Sequence, residues 1–293
     1  MMMLFCNLLS VILLFLVTFL VPDGARAQDA LAWMEAVAPP FFIHDGELKG
    51  QGYEDLITDI LKAHLPQYQH THMKANITRH YQQWKQGEKV CSVGMYKTPE
   101  RLEFTYYSIP SVFTLPPVLI IHKDRFQAFG GNKIVSLAKI LKDGNLIIGR
   151  SNNRSYGMEI DTALKTYSNP KNTFVYEGPE LSLNLFKMLQ AGRIDALPGL
   201  PEEAMYLAET MGIRDQIMTL AVEENQGNPE GSLSYVACSK NEWGKTAIAS
   251  INQVLLAQRP TEQYRAAYER WQDPGSIEDY RKLYQEVFLK ITE

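Results

Sequence analysis

QGEKVCSVGMYKTPER, residues 86–101, sets a helix end, a strand and a helix start side by side. Gly87 closes an amphipathic run over 77–86, and glycine is the residue that most readily takes the left-handed conformation of a helix stop. Val90, Cys91, Val93 and Met95 then read as a short strand with little polar interruption, as expected of a strand covered on both faces. Thr98 followed by Pro99 is a helix-start signal. A threonine hydroxyl can accept from a free backbone N–H, and proline suits the first helical position because it has no N–H to leave unpaired. Arg101 stands one turn further on, so the segment places a cation just beyond the end of a buried strand.

The same rhythm returns about a hundred residues later. LQAGRIDA (189–196) again runs from a helix end, through glycine, into a short apolar strand. Strands are expected at 31–37, 68–73, 90–95, 118–122, 146–149, 173–176, 194–197, 217–222 and 233–238. Helices are expected at 53–65, 77–86, 134–141, 155–166, 182–191, 202–211 and over most of the chain after 243. Over 53–65 the apolar positions Leu56, Ile57, Ile60, Leu61 and Leu65 fall on one face, and Pro66 stops the run. Strands alternate with helices throughout, which defines an α/β protein, and the two halves share one pattern, which predicts two similar lobes.

The chain begins with a run, 8–21, that is apolar except for Ser10 and Thr18. It is shorter than the roughly 20 residues a bilayer span requires. Pro22, Asp23 and Gly24 break it, and Ala25-Arg26-Ala27 is a small-x-small cleavage pattern, so 1–27 reads as a signal peptide with Gln28 as the mature N-terminus. Met1 to Asn7 carry no Lys or Arg, which departs from the usual charged start of such a leader. Export implies the periplasm. Cys6 leaves with the leader, and the remaining pair, Cys91 and Cys238, suggests one disulfide in an oxidising compartment. A net charge of −4 with no basic stripe argues against nucleic-acid binding. His70 and His72 share a strand face without a third ligand, and no metal or cofactor is expected. The sequence has no nucleophile elbow and no phosphate-binding loop, so no enzyme activity is expected from motifs.

Segment 86–101, with Phe104 and Tyr107-Ser-Ile-Pro behind it, resembles the hallmark region of type II periplasmic solute-binding proteins of family 3, which serve polar amino-acid ABC transporters. Ala38-Pro-Pro-Phe followed by Gly52-Tyr-Glu-Asp-Leu is similar to that family's opening motif, one residue shorter between glycine and aspartate. Ala191-Gly-Arg-Ile-Asp-Ala is similar to its second-lobe motif. The resemblance spans nearly the whole mature chain. It implies two Rossmann-like lobes joined by two hinge strands, near 113–118 and 219–224, with lobe 1 formed by 28–116 plus 222–293 and lobe 2 by 117–221. Cys91 and Cys238 then both fall in lobe 1. The implied function is extracytoplasmic capture of a small polar, carboxylate-bearing ligand in the cleft for an ABC permease, by a monomer. An orphan ligand sensor and a dehydratase-like enzyme on the same fold are the alternatives.

In the relatives the Arg of T-x-x-R grips the ligand carboxylate, which nominates Arg101 here, with Thr98 and Tyr96 beside it. A guanidinium meets a carboxylate bidentately. Arg154, Ser155 and Tyr156 occupy the place where relatives supply second-lobe donors, and Glu35 lies where relatives have a cleft residue suited to a cationic group. Two positions depart from the amino-acid pattern. The aspartate that holds an α-ammonium in the second lobe is replaced near Leu200, with Glu202 and Glu203 as the nearest carboxylates, and the family's first-lobe aspartate is Cys91.

Overall fold

The computed structural model describes residues 28–272 and 277–293. The expected leader, 1–27, lies outside the described residues. The chain first lays down β1 (Asp29–Glu35), α1 (Tyr53–Ala63), β2 (Tyr68–Lys74), α2 (Ile77–Lys85), β3 (Val90–Met95) and β4 (Thr105–Phe113). It then builds β5 (Val118–His122), β6 (Ile134–Val135), α3 (Leu137–Asp143), β7 (Ile148–Ser151), α4 (Met158–Tyr167), β8 (Thr173–Tyr176), α5 (Leu183–Gln190), β9 (Ala196–Gly199), α6 (Pro201–Thr210) and β10 (Ile217–Val222). It returns through β11 (Leu233–Ser239) and finishes in α7 (Glu242–Gln258), α8 (Glu262–Glu269) and α9 (Ile277–Glu286).

Two sheets result, one in each lobe. The first has the order β2-β1-β3-β11-β4, and the second β6-β10-β5-β9-β7-β8. β1 runs parallel to β2 and β3, whereas β11 enters between β3 and β4 antiparallel to both. That entry places Cys238 directly opposite Cys91, and the two are joined as a disulfide spanning 147 residues of sequence. In the second sheet β5 is the apolar run expected of an inner strand. Its Leu119 and Ile121 pack into one core and Ile120 into another, because successive side chains leave a strand on opposite faces.

Local chemistry explains most element ends. Asn76 Oδ1 accepts from the backbone N–H of Arg79 (2.9 Å) and starts α2, and Gly87 stops it with φ of 72°. The expected helix at 134–141 begins later. Ile134 and Val135 pair with β10 as a strand, and Ser136 then caps α3, its Oγ accepting from Lys139 N–H (3.3 Å). Glu224 takes the next two N–H groups, those of Leu137 (3.1 Å) and Ala138 (2.7 Å). The helix expected from Ser155 starts instead at Met158, because Asp161 reaches back to accept from Tyr156 N–H (2.8 Å) and the Ser155 hydroxyl and holds that segment as a loop.

Two segments connect the sheets, 114–117 and 223–232. β10 stays in the second sheet to its last residue, so the return crossing falls just after the 219–224 expected from sequence. The crossings are tied together: Thr114 N–H donates to Ser232 O (3.0 Å) and Asn225 Nδ2 to Pro117 O (2.7 Å). The C-terminal helices brace this region from the first lobe. Tyr264 donates to Ser111 O (2.6 Å) and Tyr280 to Phe113 O (2.9 Å). Leu181 and Leu200, which belong to the second half of the chain, are buried in the first lobe's core, so the lobes are packed against each other. Among the described residues no helix is long and apolar enough to cross a membrane.

Candidate functional site

Between the lobes lies a cavity of about 70 Å³. The first lobe contributes Phe41, Tyr53, Glu54, Gly94, Tyr96 and Arg101 to its wall. The second contributes Arg154, Ser155, Tyr156, Leu181, Gly199 and Leu200. The loops that follow β3, β7 and β9 therefore meet here, as do the start of α1 and the loop before it.

Arg101 is buried, with only 2% of its surface exposed. Thr98 Oγ1 accepts from Arg101 N–H (3.2 Å) and shapes the turn that carries it. The guanidinium donates from Nε to Tyr81 Oη (3.0 Å), from Nη1 to the carbonyl of Tyr96 (2.9 Å) and from Nη2 to the carbonyl of Asn153 (3.0 Å). The last bond crosses between lobes. Arg101 is thus a cavity-wall residue and an interlobe strut together.

Arg154 also reaches the cavity wall, stacked 4.9 Å from the Tyr156 ring and 5.6 Å from that of Phe41. Its charge is committed within the second lobe. It grips Glu203 bidentately at 2.9 and 2.8 Å and donates to Ser182 Oγ (2.6 Å). Glu203 is fully buried and also accepts from the Ser182 hydroxyl and from Leu200 N–H (3.3 Å), which fixes the start of α6. The Arg154 charge, expected at the place of the second-lobe donors, is therefore matched by an acid on α6. Burial disfavours the Arg154 charge, and Glu203 outweighs that and holds its pKa above the ordinary value.

The other expected residues divide between the cavity and its surroundings. Tyr96 and Tyr156 line the cavity, and burial pushes both phenols up. The Tyr156 Oη accepts from Ser151 N–H (2.9 Å), and the Ser155 hydroxyl is engaged by Asp161. Thr98 stands in the outer groove between the lobes rather than in the cavity. Glu35 is not on the cavity wall: it pairs with His72 and lies 3.7 Å from His44. The first-lobe carboxylate that does reach the cavity is Glu54.

Sequence reasoning passed over Glu54 because Glu54-Asp55 reads as the ordinary acidic start of a helix. The two acids part company by one helical step. Asp55 folds back to accept from Gly52 N–H (3.0 Å) and Ile43 N–H (2.9 Å), whereas Glu54, about 100° round the helix, faces the cavity. Gly94 makes room for it. A Cβ there would lie 1.7 Å from Glu54 Oε1, and the residue sits at φ of 77°. Glu202, the neighbour of Glu203, crosses from the second lobe to the first. It accepts from Tyr268 Oη (3.0 Å) and Tyr53 Oη (3.4 Å), and burial raises its pKa to about 8. Tyr268 Oη in turn accepts from Leu115 N–H (2.8 Å) in the first crossing segment, so the acid is linked to the hinge.

Binding proteins are among the solved structures with this architecture. The substrate-binding protein of an amino acid ABC transporter is 17% identical, with a TM-score of 0.60 over 83% of this chain and 98% of that one. An ancestral arginine-binding protein bound to glutamine is 18% identical, with a TM-score of 0.62 over 83% of this chain and 97% of that one. A Salmonella typhimurium periplasmic binding protein of high arginine specificity is 14% identical, with a TM-score of 0.61 over 83% of this chain and 99% of that one. At these identities the likeness establishes the fold, that of type II periplasmic binding proteins. No protein-family model and no curated protein matches the sequence.

Proposed function

We propose that this chain is an extracytoplasmic solute-binding protein that captures a small polar, carboxylate-bearing solute between its lobes and presents it to an ABC-type permease. The observation that carries this reading is the cavity itself. Its wall is assembled from both lobes, with buried charged side chains from each, at the place where two tied crossing segments allow a hinge. The fold shared with binding proteins supports the same role, and the leader-like 1–27 supports export. No carboxylate pairs with Arg101 among the described residues; its hydrogen-bond partners are a tyrosine hydroxyl and two backbone carbonyls, which suits a ligand carboxylate as its counter-charge. The dehydratase alternative would require an acid in contact with the substrate. Glu202 holds a raised pKa, but it is absent from the cavity wall and both its oxygens accept from tyrosines.

A thermal-shift screen of amino acids, dicarboxylates, short peptides and cyclic acids tests the reading. At a hundredfold excess over Kd, a binding solute is expected to raise Tm by about 5 °C or more. Arg101→Ala, compared with its own solute-free Tm, is expected to lose that shift. A shift of unchanged size in Arg101→Ala would remove Arg101 from the site, and no shift with any solute would remove the binding function.

A further inference from the structure

Among the carboxylates near the cavity, Glu202 and Glu203 are answered by protein donors, and Glu54 is not. Its side chain is 6% exposed and lies on the cavity wall. Among the described residues none donates a hydrogen bond or forms an ion pair to its carboxylate, in contrast to Glu202 with its two tyrosines and Glu203 with Arg154, Ser182 and Leu200. A carboxylate that faces a cavity without a protein donor leaves its oxygens available to whatever enters. The rings of Phe41, Tyr53, Tyr96 and Tyr156 line the same cavity, those of Phe41 and Tyr156 already stacked by Arg154.

Resting on the solute-binding reading above, we infer that Glu54 is the counter-ion for the ammonium group of the captured solute. The ammonium site thus lies on the first lobe, at the start of α1 and against Gly94, while the second-lobe carboxylate Glu203 is occupied by Arg154. The groups that face Glu54 are Asp55 on its own helix, Tyr96 and Arg101 after β3, Arg154 and Tyr156 after β7, and Glu202 on α6. Burial first, and then Asp55 and Glu202, hold the empty site's carboxyl well above the ordinary value, while Arg154 opposes them. An arriving ammonium favours the carboxylate.

The test is titration calorimetry at pH 7, with alanine, β-alanine and ethanolamine as small ammonium compounds and propionate as the analogue lacking the ammonium. At least one ammonium compound is expected to bind, with propionate at least about 30-fold weaker. Glu54→Gln is expected to remain folded and to weaken binding at least about 30-fold, whereas Glu202→Gln binds within about threefold of wild type. Equal binding of propionate, or Glu54→Gln binding within about threefold of wild type, overturns the ammonium site but leaves solute capture standing. Failure of all three ammonium compounds overturns the ammonium site as well. Solute capture itself falls only if the wider thermal screen is also blank.

Discussion

Replacing both Cys91 and Cys238 by alanine is expected to lower the unfolding free energy by about 3–5 kcal/mol. The bridge closes a loop of 147 residues, for which the chain-entropy relation gives about 5 kcal/mol. Its place in the topology gives it a second role. β11 reaches the first sheet only after the chain has built the second lobe, and its slot between β3 and β4 is otherwise held by backbone pairing that includes two register shifts. Both cysteines are fully buried, so alanine also removes packed atoms and adds to the loss. Urea unfolding of the oxidised protein and the double variant measures it, and a Tm about 10 °C lower should accompany it. Equal midpoints would mean that sheet pairing alone holds β11.

Arg154→Ala is expected to destabilise the second lobe by about 3–5 kcal/mol, because Glu203 would remain fully buried without its cation. The penalty belongs to the unanswered charge rather than to the lost contact. Arg154→Met combined with Glu203→Gln is therefore expected to recover most of the loss, which a double-mutant cycle in urea would read directly. If the double variant were as unstable as Arg154→Ala, the pair would act through side-chain packing and not through charge.

The amino-acid pattern foretold the parts of this structure that are local. Helix starts at Asn76 and stops at Gly87 follow from side-chain capping and backbone freedom within a few residues. The apolar run at 118–121 announces an inner strand. Arg101 and Tyr96 were reachable because they follow a buried strand in a recognisable segment. The rest depends on contacts distant in sequence. Ile134 and Val135 became a strand because β10 lies beside them. No periodicity announces that β11 slots between β3 and β4, or that Arg154 would spend its charge on Glu203. The same reason separates Glu35 from Glu54. Glu35 is drawn to His72 across the β1–β2 edge, while Glu54 looks like any acid in a first helical turn until the second lobe is folded over it.

A solute captured between the lobes is held by both at once. Hydrogen exchange on the wild-type protein, with and without the solute that gives the largest thermal shift, tests it most directly. Slowed exchange is predicted in the first lobe at 94–101 and 53–56, and together with it in the second lobe at 153–156 and 199–203. Protection confined to one lobe, with the other unchanged, would contradict capture between them.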